Sequence, residues 1–577
     1  MKKVWILLCM LVSLLCINKQ AYASTQTPAL TVSKVSAQAG STVDVPITIA
    51  NNTGICGATL SVTYDQNLTL TGVTSGDAFK DMAFTKPGEL TANPVKLLWD
   101  NVNAVKTNGT IAVLTFTVPK KDGSYKISVS YDEGDVIDGD LNPVTMAITN
   151  GSIEVKSQTS ITGTCGQNVT WSLSGDGVLT ISGKGTMKNY TYKSEMPWYK
   201  YNSQIKSVVV KEGVTSIGDY AFYGMPAMTS ISLPKGLTVI GGFAFKNSTA
   251  LNNVVLPSTL TKLGESAFYG CSSLQRIEIP KGIYTVWAYT FKNCTNLKEV
   301  ILPSTLIKID EAAFYGCSSL TSLDIPDSVS IIGIYSFKNC SKLSSVKLPS
   351  ALQQVREAAF YGTALTDVTI PDKVTDIGKY AFKNCTALKN VNFSKALKKI
   401  DDSAFYACSG LTVITLPDTV ESICDYAFRR CSNLQTVNWS SGLKTIGESS
   451  FYGCEKLIEL ILPESVTAIK GYAFKGCTGV TKVVLPSTLG TLGDSAFYEC
   501  TKLTTLDIPV KVTALGDYTF SRCSALKTVN FKGNAPTIGA NAFSRVTAKI
   551  TYPSGNTTWG TDKQKNYGGT LTWEAAK

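Results

Sequence analysis

Residues 320–342 read LTSLDIPDSVSIIGIYSFKNCSK, and variants of this phrase recur about every 23 residues between residues 215 and 545. Successive copies are 23 residues apart, except at one place where the gap is 22. A fixed period of this length is typical of a solenoid, whose units cannot bury their apolar face alone. Solenoids offer long surfaces to partners, so more than half of the chain is predicted to be a binding scaffold. Each copy is anchored by a phenylalanine, at Phe222, Phe245, Phe268, Phe291, Phe314, Phe337, Phe360, Phe382, Phe405, Phe428, Phe451, Phe474, Phe497, Phe520 and Phe543.

The repeated phrase has the consensus L-x-x-[VIL]-x-[LI]-P-x-x-[LV]-x-x-[IL]-G-x-x-[AS]-F-x-x-C. In the quoted copy it predicts a short strand at 323–325, a turn at Pro326, a second extended piece and a corner at the phenylalanine. Stacked parallel strands are expected to form one continuous sheet with a spacing of roughly 4.8 Å. The consensus resembles BspA-type bacterial leucine-rich repeats, which implies a leucine-rich-repeat solenoid over residues 206–545. The resemblance extends to segments 157–205 and 546–577, which are expected to cap the two apolar ends.

Residues on either side of the anchor alternate between successive copies. The residue after the phenylalanine is tyrosine in one copy and lysine or arginine in the next, as in Tyr269, Lys292 and Tyr315. Two residues before the anchor, a small residue alternates with tyrosine in the opposite phase, as in Ser266 and Tyr289. We expect each tyrosine to cover the small site of its neighbour, which makes 46 residues the unit of duplication. A tyrosine stripe is alternatively a platform that stacks on sugars.

Eleven cysteines share one place in the repeat, three residues after the anchor. Their side chains are expected to be parallel and one solenoid step apart, which favours a ladder of buried thiols over disulfides. Thr363 replaces the cysteine in the copy with the 22-residue gap, so a tightened corner is expected there. Because no C-x-x-C pair occurs, neither a zinc site nor a redox site is predicted. The cysteines are Cys271, Cys294, Cys317, Cys340, Cys385, Cys408, Cys431, Cys454, Cys477, Cys500 and Cys523.

Residues 24–156 alternate apolar and polar side chains in short runs separated by turns. Examples are VDVPITI at 43–49, ATLSVTY at 58–64 and IAVLTFTV at 111–118. This period of two predicts an all-β antiparallel sandwich in which one face of each sheet is buried. The composition changes near residue 157, so two structural regions are expected after the amino-terminal segment.

Four segments of this region, AGSTVDVPITI, LSVTYDQNLTLTGVTSGDAF, GTIAVLTFTV and DGDLNPVTMAITNGSIEV, resemble successive strands of a cohesin domain in order and spacing. The resemblance covers nearly all of residues 28–156 and implies a nine-stranded jelly-roll sandwich. Cohesins bind dockerin modules, which attach enzymes to extracellular polysaccharide-degrading complexes, so dockerin-containing proteins are the implied partners. Some cohesins carry Asn-x-Asp where this chain has Gly57 and Thr59, so the resemblance does not fix the dockerin class.

Candidate partner-binding residues lie on two faces. The resemblance places the dockerin surface on one sheet face, which includes the strand before the Tyr-Asp motif at 64–65 and the strand around VKLLWDN. Alternation turns Thr59 and Ser61 outward on the first strand, and Leu98 and Asp100 outward on the second. The outward leucine suits a partner contact and equally fits an ordinary exposed leucine. On the solenoid, outward positions of the main strand form the second candidate surface, represented by Arg276, Glu278, Glu299, Asp324, Lys347, Asp367, Asn390 and Asn392.

The chain begins MKKVWILLCMLVSLLCINKQAYAS, with a charged start, a short apolar run and a small-x-small site ending at Ala23. This pattern predicts a secretory signal peptide over residues 1–23 and export from a bacterial cell, to the medium or the cell surface. The run is too short for a membrane span, and no later stretch is long and apolar enough for one. The formal net charge is +11 without a clustered basic run, which does not favour nucleic-acid binding.

Catalytic and metal chemistry find little support in the sequence. The chain has no histidine, which excludes Ser-His-Asp and Cys-His catalysis and every His-ligated zinc site. Paired acids at 310–311 and 401–402 fall on variable corner positions, where solvated charge is favoured over a general acid–base pair. The sequence therefore predicts a non-enzyme with no catalytic residue, metal or cofactor.

The favoured hypothesis is a secreted non-catalytic adaptor. Its cohesin-like module docks a dockerin-bearing protein, while the repeats bind a second protein or glycan surface. The alternative is a cell-surface adhesin whose repeats bind a host or glycan target, with the sandwich as a stalk. A third hypothesis, glycoside hydrolysis, needs a carboxylate cleft that the sequence does not show. No D-x-N-x-D-G calcium loop occurs, so no dockerin is predicted within the chain.

Overall fold

Two compact units make up the chain, one ending at residue 159 and the other beginning at residue 160. The computed structural model describes residues 26–157 and 160–576, so the predicted signal peptide lies outside the described residues. Strands, turns and three short 3₁₀ helices (Asp77–Phe79, Lys193–Glu195 and Tyr199–Tyr201) make up the described residues, without an α-helix. The predicted fold class, an all-β jelly-roll sandwich followed by a solenoid of parallel strands, is confirmed. Within 26–157 and 160–576, no helix is long and apolar enough to cross a bilayer.

Twelve strands form the first unit: β1 (Ala29–Val32), β2 (Lys34–Gln38), β3 (Thr42–Ala50), β4 (Ile55–Tyr64), β5 (Thr69–Ser75), β6 (Ala83–Thr85), β7 (Val95–Val105), β8 (Gly109–Thr117), β9 (Gly123–Ser130), β10 (Val136–Ile137), β11 (Ala147–Thr149) and β12 (Gly151–Lys156). One sheet has the order β11-β1-β3-β8-β5. The other has the order β2-β12-β9-β4-β7-β6, with β10 paired to β4. The count exceeds the nine strands that the resemblance implies because short pieces such as β6 and β10 form separate strands.

The core of the sandwich follows the period-two pattern of the sequence. On β4 the residues Leu60 and Val62 are buried, and on β7 so are Leu97 and Trp99, as the alternation predicts. The Trp99 ring meets the ring of Phe79 edge to face, with the centroids 5.7 Å apart. The inward-facing aliphatic and aromatic side chains of both sheets form one cluster, which leaves the polar partners of each strand outward.

An antiparallel hairpin opens the second unit and caps the solenoid. Ile161–Gly166, Val169–Leu173 and Val178–Gly183 form this part of the sheet, which continues in parallel through Ser207–Val210 and Ser230–Ser232. Gly177 closes the turn at φ +90°, and a Cβ there would lie 2.4 Å from the carbonyl oxygen of Gln204. The ring of Trp198 stacks on Phe222 at 5.9 Å, so an aromatic side chain of the cap covers the first repeat. At the other end, Thr547–Tyr552 and Thr570–Ala575 continue the sheet, and Trp559 packs on Phe531.

Most repeats contribute a main strand, a turn near the proline and a second short strand, whereas an isolated bridge replaces the main strand at Asn253 and the second strand at Val355. The main strands after Ser230–Ser232 are Arg276–Glu278, Glu299–Ile301, Ser322–Asp324, Ser345–Lys347, Asp367–Thr369, Asn390–Asn392, Val413–Thr415, Thr436–Asn438, Glu459–Ile461, Lys482–Val484, Thr505–Ile508 and Thr528–Phe531. The second strands are Val214–Ile217, Val239–Ile240, Lys262–Leu263, Thr285–Val286, Lys308–Ile309, Ile331–Ile332, Asp376–Ile377, Lys399–Ile400, Ser422–Ile423, Thr445–Ile446, Ala468–Ile469, Thr491–Leu492, Ala514–Leu515 and Thr537–Ile538. A further short strand, Gly185–Thr186, precedes the second strands in their sheet.

The main strands do not form the one continuous sheet that the sequence predicts. From Arg276 to Val484 they pair two by two, whereas eight second strands form an unbroken sheet. Within each pair of main strands, the central residue of the later strand is more exposed than that of the earlier strand. Val300 is 8% exposed, for example, whereas its partner Ile277 is 1% exposed. The corners alternate in composition with the same period of two repeats, so the pair of repeats is the structural unit of the main-strand face.

The corner around each phenylalanine carries its own hydrogen-bond ladder. The residues two before and two after the anchor have positive φ, as at Tyr289 (+58°) and Asn293 (+60°). The backbone N–H groups of Tyr289, Phe291 and Asn293 donate to the next repeat at 2.9, 2.8 and 2.7 Å. Holding a non-glycine residue in the left-handed region costs about 1 kcal/mol, and the inter-repeat hydrogen bonds offset that cost.

The anchor rings form a column through the whole array. All fifteen phenylalanines are fully buried, and neighbouring centroids lie between 5.0 and 5.8 Å apart. The rings of one neighbouring pair, Phe314 and Phe337, are inclined by only 2°. Each ring therefore needs a repeat on both sides to cover its two faces, which couples the repeats to one another.

Cations, rather than other tyrosines, fill the space between the tyrosines of successive corners. The Lys292 Nζ atom lies 5.6 Å from the ring centroid of Tyr269, 5.1 Å from that of Tyr289 and 4.8 Å from that of Tyr315. Lysines at 338, 383 and 475 repeat this arrangement. The small residue of the alternation is buried, as at Ser266 (2%). Because lysine amines already lie over the ring faces, the arrangement favours packing over a sugar-stacking platform.

The repeated cysteines are buried free thiols, as the sequence predicts. The Cys294 Sγ atom donates to the carbonyl oxygen of Phe268 at 3.1 Å, and the other ladder cysteines make equivalent bonds. Burial raises the pKa of the Cys294 and Cys340 thiols to about 12. In the same column, Ser248 is fully buried and donates to the carbonyl oxygen of Phe222 at 2.8 Å. The ladder therefore supplies a hydrogen bond inside the core without placing a reactive thiolate there.

The copy with the 22-residue gap has the tightened corner that the sequence predicts. The two-residue turn that follows the cysteine in other repeats, as at Ser318 and Ser319, is missing after Thr363. The Thr363 hydroxyl donates to the carbonyl oxygen of Phe360 at 3.0 Å and contacts the Cys385 Sγ atom at 3.2 Å. Threonine thus keeps the hydrogen bonding of the column although one residue is lost.

Deleting whole pairs of repeats is expected to harm stability less than deleting one repeat. Removing residues 269–314 preserves the Tyr–Lys alternation, because Phe268 is then followed by Tyr315. Removing residues 269–291 places Lys246 beside Lys292 and removes the ring between them. We expect the 46-residue deletion, although shorter, to unfold at the higher temperature in a calorimetric scan. An equal or higher midpoint for the 23-residue deletion would contradict the paired unit.

The thiol ladder is expected to make stability fall in alkaline solution. In the unfolded chain the thiols ionise near pH 9, whereas the folded state keeps Cys340 protonated to about pH 12. Above pH 9 the unfolded state therefore holds fewer protons than the folded state. The contribution of the thiols to the unfolding free energy consequently decreases as pH rises from 9 to 12 and does not change below pH 9. Each thiol adds a slope of about 1.4 kcal/mol per pH unit in that window.

Urea unfolding of the Cys340→Ala variant between pH 8 and 11 measures this slope. The variant is expected to lose stability with pH less steeply than the parent. Ser248→Ala is the matched control, because it removes the same kind of buried hydrogen bond without a titrating thiol. Equal slopes in the parent and the cysteine variant would refute the assignment.

Candidate protein-binding surfaces

Strands β4 and β7 are antiparallel neighbours and bring the candidate cohesin-face residues together. Thr59 pairs with Leu98, and Ser61 pairs with Lys96. On the other side of β7, Thr85 of β6 also pairs with Leu98. Leu98 is 38% exposed and Asp100 is exposed, whereas the two β4 residues are half-buried. The face is thus an array of small polar residues from which one leucine projects, an arrangement that a partner can cover with an apolar pocket.

The position of Gly57 is tightly packed. Strand β10 pairs with the first half of β4 and sets Ile137 opposite this glycine. A Cβ at residue 57 would lie 3.0 Å from the Cγ1 atom of Ile137, so a larger side chain requires the isoleucine side chain to shift. The departure from the Asn-x-Asp pattern of some cohesins thus coincides with a close contact between β4 and β10.

Two exposed apolar residues of the first unit were missed in the sequence. Val102, near the end of β7, is 95% exposed, and Leu141, in the loop after β10, is 70% exposed. Extending the alternation of Leu98 and Asp100 by one step would have identified the outward valine. No comparable pattern identifies the loop residue, which has a positive φ of 65°.

On the solenoid, most candidate residues contact one another across neighbouring repeats. The guanidinium of Arg276 pairs with Glu278 at 3.3 Å and with Glu299 at 3.2 Å. These side chains are about half exposed, where such pairs contribute about 0–1 kcal/mol. The ion pairs balance much of the charge on this part of the surface.

The next group of candidates forms a polar ladder. The Asn390 Nδ2 atom donates to the Asp367 carboxylate at 2.6 Å, and that hydrogen bond is the leading cause that lowers the pKa of Asp367. One position along, the Asn392 Nδ2 atom donates to the Thr369 hydroxyl at 3.2 Å. Lys347 instead pairs with Asp327 of the preceding turn at 3.2 Å, and Asp324 is exposed.

Three clefts are considered on the main-strand face of the described residues. The largest, of about 720 Å³, is lined by Lys347, Asp367 and residues around Pro371, next to the shortened repeat. A cleft of about 630 Å³ is lined by Arg276 and Glu278 together with the exposed residues Val255 (75%) and Ile301 (38%). The 720 Å³ cleft lies between Ser345–Lys347 and Asp367–Thr369, which are not paired, whereas the 630 Å³ cleft extends over the paired strands Arg276–Glu278 and Glu299–Ile301.

The third cleft, of about 660 Å³, lies outside the set of predicted residues. Lys482 and Asp507 line it together with Val484 (43% exposed) and Val510 (65% exposed). The signal in the sequence is a β-branched residue at an outward strand or turn position, which is too common to single out a site.

One group of potential metal ligands lies on a corner of the solenoid. Atoms of Asp401, Asp402 and Cys424 lie within 4.8 Å of one another. Lys399 pairs with Asp401 at 3.5 Å, and Lys379 pairs with Asp402 at 3.4 Å. Burial raises the pKa of the Cys424 thiol to about 11, so it is protonated near neutral pH. Lysine amines therefore already neutralise the carboxylates, as expected for acids on a solvated corner.

Comparison with protein families identifies both parts of the chain. Overlapping matches to the BspA type leucine rich repeat region run from residue 198 to residue 566. The chain belongs to the BspA-type leucine-rich-repeat family. Residues 28–155 match the Cohesin domain, so a cohesin domain precedes the BspA-type repeats in this chain. The prediction of the two families and of their order is confirmed.

Solved structures resemble the two parts separately. A leucine-rich repeat protein from Bacteroides ovatus is 25% identical, with 71% of this chain and 99% of that chain covered and a TM-score of 0.52. A type I cohesin–dockerin complex from Clostridium thermocellum has a cohesin 20% identical to this chain, with 22% and 99% covered and a TM-score of 0.21.

A curated relative matches the first unit alone. Cellulose-binding protein A of Clostridium cellulovorans is 31% identical over an alignment of 139 residues, which covers 22% of this chain. The chain spans only 8% of the length of that relative. The match therefore concerns a module and not the whole protein.

Proposed function

We propose that this chain is an exported bacterial adaptor whose cohesin domain docks a dockerin-bearing protein while the BspA-type repeats bind a second protein or glycan surface. The match of residues 28–155 to the cohesin family supports the first half of the proposal. The exposed Leu98, at the centre of the β4–β7 face, is the single observation that supports a contact at this face. Both families are non-catalytic binding modules, in keeping with a protein that is not an enzyme.

The face has the physical properties that docking requires. Leu98 stands between Thr59 and Thr85, whose short side chains leave its aliphatic group free to enter a pocket. Burying a leucine side chain contributes about 1.5–3 kcal/mol when the pocket fits. Ser61 and Asp100 lie beside it and offer hydrogen bonds that orient the partner, since polar contacts around an apolar anchor mainly supply specificity.

A surface adhesin is the second candidate function. In that case the repeats hold a host or glycan target and the cohesin domain acts as a spacer. The observation that favours it is the row of clefts on the main-strand face, where Val255, Val484 and Val510 are widely exposed. The predicted signal peptide serves either function, because both act outside the cell.

Calorimetric titration of the intact protein against a panel of dockerin modules, with calcium present, tests the adaptor proposal. We expect saturable binding to at least one dockerin, weakened about tenfold or more by Leu98→Asp, because the substitution places a charge in the apolar contact. Thr31→Asp is the matched control, since it adds the same charge to an exposed position on the other sheet. It should leave the affinity unchanged.

Three results would count against docking through this face. Folded protein that binds no dockerin in the panel would remove the adaptor function and favour the adhesin. Equal weakening by the control would show a general charge effect. Binding unaffected by Leu98→Asp would move the contact elsewhere on the domain.

A further inference from the structure

Two junctions between successive repeats are held together more weakly than the others. One joins the repeats anchored by Phe268 and Phe291, and the other joins those anchored by Phe360 and Phe382. Within the described residues 160–576, these are the junctions at which neither the main strands nor the second strands are paired. A single isolated bridge remains in the two ladders at each, Asn253↔Arg276 at the first junction and Val355↔Ile377 at the second.

The repeat after the first junction shows which hydrogen bonds are lost. There the N–H of Ile307 donates to the carbonyl oxygen of Tyr284 at 2.9 Å, and the N–H of Asp310 donates to that of Val286 at 2.8 Å. The equivalent N–H groups at the first junction belong to Tyr284 and Trp287. Neither donates to a backbone carbonyl in the described part of the chain, so the second-strand ladder is open at this junction.

The second junction follows the repeat with the 22-residue gap. That repeat has no second strand, so the sheet of second strands ends at Ile332 and begins again at Asp376. The main strands on the two sides, Ser345–Lys347 and Asp367–Thr369, are not paired either. Beyond this point eight second strands are paired without a break, so the remaining repeats form one continuous block.

The corner around the phenylalanine crosses both junctions intact. The N–H of Phe268 donates to the carbonyl oxygen of Thr290 at 2.9 Å, and the N–H of Phe360 donates to that of Ala381 at 2.9 Å. The anchor rings are 5.6 Å apart at the first junction and 5.5 Å apart at the second, as elsewhere in the column. A junction that is bonded along one edge and open along the other two can bend about the bonded edge.

A cleft of the main-strand face lies across each junction. The cleft of about 630 Å³ is lined by Asn253 and Val255 from the repeat before the first junction and by Arg276 and Lys281 from the repeat after it. The cleft of about 720 Å³ is lined by residues within 345–350 before the second junction and within 367–373 after it. Bending about the corner therefore changes the width of both clefts.

We infer that these two junctions are hinges, which divide the solenoid into three rigid blocks. The first block ends with the repeat of Phe268, the second runs from the repeat of Phe291 to that of Phe360, and the third begins with the repeat of Phe382. Bending about the phenylalanine corner opens or closes the two clefts while each block keeps its shape. The inference goes beyond the proposed binding functions, because it concerns how the solenoid changes shape, and it does not depend on the cohesin domain.

Distances between pairs of spin labels, measured by double electron–electron resonance on the protein without residues 1–23, test the inference. The labels are attached to introduced cysteines at equivalent exposed positions of the turn between the main and second strands. A Cys424→Ser background is used, because every other cysteine of the described residues is buried. Each pair spans five repeats: Glu212→Cys/Asp327→Cys crosses the first junction, Asp327→Cys/Ser441→Cys crosses the second, and the control Asp372→Cys/Ser487→Cys crosses neither.

We expect both crossing pairs to give distance distributions about twice as wide as that of the control pair, because only they include a hinge. Each labelled variant should match the parent in thermal unfolding. Equal widths for all three pairs, narrow or broad, would overturn the inference, since the solenoid would then be uniformly stiff or uniformly flexible. Widening of one crossing pair alone would overturn the division into three blocks.

Amide hydrogen exchange of the unlabelled protein gives an independent readout at the first junction. The N–H groups of Tyr284 and Trp287 should exchange about tenfold or more faster than those of Ile307 and Asp310, which occupy the equivalent positions in the next repeat. Equal protection of the two sets would show an intact ladder and would overturn the first hinge.

Discussion

The column of stacked phenylalanine rings is the constraint on which the solenoid depends. A ring with neighbours 5.0–5.8 Å away on both faces cannot be buried by its own repeat. The backbone therefore turns tightly around each ring, with left-handed residues on both sides and hydrogen bonds to the next repeat. The thiol that follows eleven of the fifteen rings donates back to the phenylalanine carbonyl of the preceding repeat and completes the packing. Trp198 then ends the column at the cap, because the first ring also needs a cover.

The alternation of tyrosine and lysine around this column decides which surfaces are free. Lysine amines lie over the tyrosine rings, and the hydroxyl of Tyr335 donates to Glu357 at 2.8 Å. The corner edge of the solenoid thus satisfies most of its own polar and aromatic groups. The main strands from Arg276 to Val484 pair two by two with the same period as this alternation, and clefts open on their face. Partner contacts are therefore to be sought on the main-strand face, where groups are left unpaired.

The two units offer different binding chemistries. The cohesin face is small, polar and centred on one projecting leucine, which suits a partner protein with a complementary pocket. The repeats form a long surface, with mixed charge along the strands and a basic cleft at one end.

The sequence alone determined the repeat, its period, the solenoid, the sandwich and the inward side of β4 and β7, because burial follows periods that can be counted. It also determined that the cysteines form buried thiols, since equivalent positions in a solenoid have parallel side chains. The sequence could not determine that main strands pair two by two, because that pairing depends on how successive repeats with different corner residues pack against each other. Nor could it place Lys193 and Lys200 of the cap at one cleft, because the residues that flank Met196 and Trp198 are positioned only by the packing of these two buried side chains. Charges spread along a sequence become a site only when tertiary structure decides which of them are paired.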